Sequence, residues 1–92
     1  MTGSEDRMAR LKGRFIARSQ GDRDALVKAF DDGDREVLRR LAHSLSGAGG
    51  IFGFTGISRR AADLEQGIDR DEPRDHLRAL LESLLDEIDC CQ

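Results

Sequence analysis

Apolar positions in this chain recur at three- and four-residue spacing, the pattern of helices that each bury one stripe. Met8, Leu11, Phe15 and Ile16 mark a first segment from about Asp6 to Ser19. A second runs to about Phe30 and carries Ala25, Leu26, Ala29 and Phe30. Between them stands Ser19-Gln20-Gly21-Asp22, where Gly21 weakens a helix and Ser19 or Asp22 can cap a new one. The pattern leaves open whether these are two helices or one kinked helix. A third segment spans about Arg35 to Gly49. It follows Asp31-Asp32-Gly33-Asp34, in which Gly33 ends one helix and Asp34 caps the next. A fourth covers about Phe54 to Gly67, with Ile57, Ala61, Leu64 and Ile68 as its stripe. Pro73 suits the first position of a fifth, which carries Leu77, Leu80, Leu81, Leu84, Leu85 and Ile88. That arc is the widest, so the fifth helix is expected to be the most buried member of an antiparallel bundle. Met1 to Glu5 are expected to be a loose end.

No alternating strand pattern of useful length competes with this all-α reading. The 92 residues make one domain, spanning 1–92, with material for one modest core. Composition is 38% hydrophobic and 36% charged, which fits a folded globular chain. The net charge is −3 with both signs interspersed. There is no basic footprint for nucleic acid and no polybasic patch for a membrane. Apolar runs are too short to span a bilayer, and the N-terminus lacks a signal-peptide core, so a cytoplasmic location is expected. The cysteines, Cys90 and Cys91, are adjacent near the C-terminus and cannot staple distant segments.

The third segment holds the candidate chemistry. With Leu41 at zero on a helical wheel of about 100° per residue, Val37, Leu38, Leu45 and Ala48 fall within about 60° and form the expected core face. His43 lies at about 200° with Glu36, Arg39, Ser46, Gly47 and Gly50 beside it. The histidine is therefore exposed, or at most at the edge of a groove between helices. Gly47 and Gly50 follow on the same face. A glycine inside a helix costs about 0.5–1 kcal/mol relative to alanine, so this pair reads as clearance for a partner's backbone. No His or Cys pair has metal-ligand spacing, and no strand-turn-helix elbow, P-loop or dinucleotide fingerprint is present. An exposed, mostly neutral imidazole remains suited to nucleophilic acceptance of a group delivered by a partner.

The stretch Ala42-His43-Ser44-Leu45-Ser46-Gly47, followed by Gly53, Ile57, Ala61 and Leu64-Glu65, resembles the histidine-containing phosphotransfer (HPt) domain, whose pattern is roughly AHxLKGxxxxxGxxxL, then A, then LE. The wording from Gly47 to Phe54 is similar to the phosphoacceptor domain of chemotaxis histidine kinases. The resemblance implies an antiparallel up-down four-helix bundle with a short additional N-terminal helix. It implies phosphorylation of His43, on Nε2, and exchange of the group with the aspartate of a response-regulator receiver domain. It makes a sensor histidine kinase the other partner. The chain itself needs no cofactor, because Mg²⁺ is expected on the receiver. No ATP-binding domain is present, so this is a carrier rather than a kinase, and a monomer is the default.

The family usually places Lys three residues after the histidine, and this chain has Ser46 there. Ser46 offers only a neutral hydrogen bond to the phosphoryl group, so Arg39, one turn before His43, is expected to supply the charge. Gly47 belongs to the same phosphoryl-stabilising surroundings, and Gly50 and Phe54 to the docking surface. Gly53 is expected to let the third and fourth helices approach closely. At least one of Phe52 and Phe54 is expected in the core, with the other edging the docking surface. His76, Arg59-Arg60 and the cysteines read as solvated positions, although Arg59-Arg60 can meet an acidic partner rim. A different class competes: a non-phosphorylated bundle that binds a receiver or kinase as an adaptor or inhibitor. A third reading is the excised N-terminal domain of a chemotaxis-type kinase. The initial Met and short polar tail favour a complete small protein over it.

Overall fold

The computed structural model describes residues 3–90 and contains four α-helices: α1 (Gly3–Asp32), α2 (Arg35–Ile51), α3 (Thr55–Asp69) and α4 (Arg74–Cys90). They run up and down around one core, with α1 against α2 and α4, α2 against α3, and α3 against α4. The all-α bundle agrees with the apolar spacing. The separate short N-terminal helix does not occur. The first two segments are one continuous helix, which also takes in Gly3 to Glu5. Met1, Thr2, Cys91 and Gln92 lie outside the described residues, and with them part of the expected loose end and one of the two cysteines.

The expected break at Ser19 to Asp22 fails for a physical reason. Ser19 is fully buried, and its hydroxyl donates to the Ile16 carbonyl at 2.8 Å, a bond made within the helix rather than at a cap. Arg18 and Asp22 bridge the same turn at 3.2 Å. Phe15, Leu26, Ala29 and Phe30 are buried on either side of the weak point. Their packing outweighs the roughly 1 kcal/mol propensity penalty of Gly21.

The three turns share one construction. After α1, Gly33 adopts φ +72° and the Asp34 amide reaches back to the Ala29 carbonyl at 2.9 Å. After α2, Gly53 adopts φ +81° and the Phe54 amide bonds the Gly49 carbonyl at 2.8 Å. After α3, Asp71 takes the left-handed position at φ 56° without being glycine, and Arg35 holds its carboxylate at 2.8 Å. Asp34 caps α2 as expected, accepting from the Val37 amide at 3.1 Å. Pro73 stands just ahead of α4, where its carbonyl accepts from His76 and Leu77.

The core of α2 is Leu38, Ala42, Leu45 and Gly49. This corrects the wheel centred on Leu41. Leu41, Val37 and Ala48 are only half-buried, packed against the core's rim, because the small Ala42 is the residue turned fully inward. Ile57, Ala61, Leu64 and Gly67 face it from α3, and Leu77, Leu81, Leu84 and Ile88 from α4. The last helix therefore buries no more positions than its neighbours. Leu80 and Leu85, which widened its arc, stay at the rim.

Gly53 was expected to permit a close helix approach, but a Cβ there would meet open space. Its role is the positive φ of the turn. The close approach belongs to Gly49. A Cβ on it would stand 3.2 Å from the Ser58 amide nitrogen and 3.3 Å from the Phe54 carbonyl oxygen, both backbone. This bare spot lets α3 press against α2, and the Ser58 hydroxyl adds a 2.8 Å bond to the Ser46 carbonyl.

Candidate functional site

Rotating the core of α2 toward Ala42 moves His43 relative to the sequence-based wheel. It stands about 100° from the innermost residue instead of opposite it. Its side chain is 73% exposed, at the solvent edge of the α2–α3 seam. The antiparallel α3 presents Glu65 and Asp69 to the same edge, one turn apart. Glu65 Oε2 lies 2.9 Å from His43 Nδ1. A carboxylate only accepts hydrogen bonds, so Nδ1 carries a proton, and in the neutral ring Nε2 keeps its lone pair. Nε2 has no partner among the described residues. The Glu65 side chain is 16% exposed, so the group that orients the ring is itself firmly seated.

Arg39 lies on the same face, as the sequence indicated, and its charge is already engaged. Its guanidinium meets Asp69 at 2.6 and 3.5 Å, and Glu65 at 3.4 Å. The Arg39 hydrogen bond and charge hold the Asp69 carboxyl below its ordinary value, and the same bond raises the Arg39 guanidinium. Arg39, Glu65 and His43 thus form a chain across the seam: the arginine steadies the carboxylate that orients the imidazole.

Gly47 and Gly50 are exposed close to His43, and a Cβ on Gly47 would meet nothing. Ser46 is half-buried, with its carbonyl tied to Ser58. Ile51, at the end of the same helix, is 77% exposed. Phe54, assigned from sequence to docking, is half-buried and stacks on Phe15 with ring centroids 5.0 Å apart; Phe52 meets the same ring at 5.8 Å. Both flanking phenylalanines thus join α1 to the α2–α3 turn. Arg60 is tied to Glu87 at 3.1 Å, while Arg59 and His76 are exposed. Cys90 is an exposed free thiol.

Glu65 and Asp69 were missing from the candidate site read from sequence. Their signal was available: they fall four residues apart on α3, and Glu65 belongs to the Leu64-Glu65 pair of the motif. Linking them to His43 required the register of α2 on α3.

The Hpt domain model matches residues 10–89, which is most of the chain and reaches into all four helices. The chain belongs to the Hpt domain family. Hpt domains carry out histidine phosphotransfer in two-component signalling and interact with histidine kinases and receiver domains. None of the curated proteins and none of the solved structures matches the chain. In this Hpt domain no helix among the described residues is long and apolar enough to cross a membrane. Also among the described residues, no group of three or more His, Cys, Asp or Glu side chains could hold a metal ion.

Proposed function

We propose that this Hpt domain is a phosphorelay intermediate that accepts a phosphoryl group on His43 Nε2 and exchanges it with the aspartate of a response-regulator receiver domain. The observation that carries the reading is the 2.9 Å contact between His43 Nδ1 and Glu65, which leaves the exposed ring's other nitrogen as the nucleophile. In the forward step the Nε2 lone pair attacks phosphorus. The N–P bond forms as the acyl O–P bond of the receiver's aspartyl phosphate breaks, and the departing carboxylate keeps the electron pair. Nδ1 retains its proton, so the phosphorylated ring is cationic. The hydrogen bond to Glu65 then becomes charge-assisted and stabilises that ring. The return step reverses these bonds. Positioning and charge stabilisation dominate phosphoryl transfer, and the Mg²⁺ that supplies much of the latter is expected on the receiver.

The exposed glycines at positions 47 and 50 leave the approach to Nε2 unobstructed, and Gly50 belongs to the docking surface. Ser46 offers a neutral hydrogen bond, and Arg39 acts through Glu65 and Asp69. A sensor histidine kinase upstream, a cytoplasmic setting and a monomer complete the proposal, since a carrier must show one face to successive partners. The test is incubation with a phosphorylated receiver and Mg²⁺. An acid-labile, base-stable phosphate on the domain, lost in His43→Gln, supports the relay. Tight receiver binding without transfer would contradict it and make the domain an adaptor.

A further inference from the structure

A phosphoryl group on His43 brings a charge approaching −2, which needs a cation within reach. Arg39 is poorly placed to provide it. One guanidinium there faces the two carboxylates of Glu65 and Asp69, so that cluster is net negative before any phosphoryl group arrives. On the other side of α2, Arg18 is held by Asp22 and by the Ser44 hydroxyl. Arg40 differs from both. It is exposed, and it makes no ion pair or hydrogen bond among the described residues, even with Glu36 one turn before it. It lines one surface depression of about 260 Å³ together with His43, Arg39 and Glu36. Arg40 precedes His43 by three residues, about 60° around the helix, where side chains are neighbours.

We infer that Arg40 is the residue that binds the phosphoryl group on His43, in the role the family's usual lysine plays from the other side, at the position of Ser46. This rests on the reading of His43 as phosphoacceptor. The planar guanidinium can donate two hydrogen bonds to phosphoryl oxygens, and because no carboxylate holds it, it reaches them without first breaking an ion pair. Arg39 then orients the ring through Glu65, and the two adjacent arginines divide the work.

The test uses phosphoramidate as a small donor, so that no protein partner enters. Nε2 attacks its phosphorus, the P–N bond breaks and ammonia leaves. Phosphorus NMR of the labelled domain then follows the second ionisation of the phosphoryl group with pH. A nearby guanidinium favours the dianion and lowers that ionisation. Arg40→Ala is expected to raise it by about 0.5 to 1 pH unit and to slow labelling several-fold, and Arg40→Lys to restore most of both. Neither substitution is expected to change the circular dichroism or the melting temperature, since the side chain is exposed and holds no ion pair or hydrogen bond among the described residues. An ionisation and labelling rate unchanged in Arg40→Ala overturn the assignment, as does a larger shift in Arg39→Ala. Failure of the wild-type chain to label at His43, judged against His43→Gln, overturns the phosphoacceptor reading itself and the assignment with it.

Discussion

The two sides of α2 obey different rules. Its inner side, Leu38, Ala42, Leu45 and Gly49, is buried in the common core, with α1 and α3 packed against the helix. Its outer side, with Arg40, His43, Gly47, Gly50 and Ile51, is bare. Both sides use small residues, for opposite purposes. Gly49 is small because backbone lies against it, whereas Gly47 is small with open space around it. A glycine two residues away can thus mean tight packing or its absence, and only the neighbouring helix tells which. His43 stands on the boundary, oriented by one carboxylate from the packed seam and otherwise free.

The largest losses are expected on the inner side of the seam. Leu64→Ala opens a cavity in a fully buried position and is expected to destabilise the fold by about 2–5 kcal/mol in chemical denaturation. Gly49→Ala pushes a methyl group against the Ser58 and Phe54 backbone. Overpacking less the gain in helix propensity gives a net loss of about 1 kcal/mol, with a change in the amide spectrum of Ser58. At the boundary, Glu65→Ala leaves the ring without its orienting carboxylate. Labelling of His43 by a small phosphoryl donor is expected to slow by about tenfold.

Smaller effects are expected on the exposed side. Gly47→Ala is expected to stabilise the chain by about 0.5–1 kcal/mol while impairing exchange with a receiver, because the methyl group occupies the approach to the imidazole. A stabilised variant with unchanged exchange would show that the bare face has no role in docking. Asp69→Asn is expected to lower the melting temperature by only about 1–3 °C at neutral pH. The Arg39 bond depresses the folded-state value of Asp69, so its contribution is complete above the unfolded-state pKa. It is lost as pH falls through the lower, folded-state value. Wild type and Asp69→Asn should therefore converge in acid; a gap that widens on acidification contradicts this sign.

How much of this was legible beforehand follows from the same contrast. The helices, the Gly33-Asp34 junction and the exposure of His43 depend on local spacing and capping, and the chain carries those signals itself. Three features depend on a second helix and could not be read so. The serine and glycine near the middle of α1 looked like a break until Ser19 bonded Ile16 inside a packed helix. A wheel of α2 drawn from sequence centres on the bulky Leu41, because nothing in one segment indicates that the small Ala42 turns fully inward. The spacing within α2 points to His43, Arg39 and the glycines but not to the carboxylates, because Glu65 and Asp69 come from another helix. The family resemblance points to His43, while the geometry shows which carboxylate holds its ring.

In the proposed relay, Glu65 fixes the proton on Nδ1 and frees Nε2 for phosphorylation. The most direct measurement is nitrogen and phosphorus NMR of the domain after transfer from a phosphorylated receiver. A single phosphoramidate is expected at His43 Nε2, with Nδ1 protonated and no signal in His43→Gln. A phosphate on Nδ1, or one that survives His43→Gln, would contradict it.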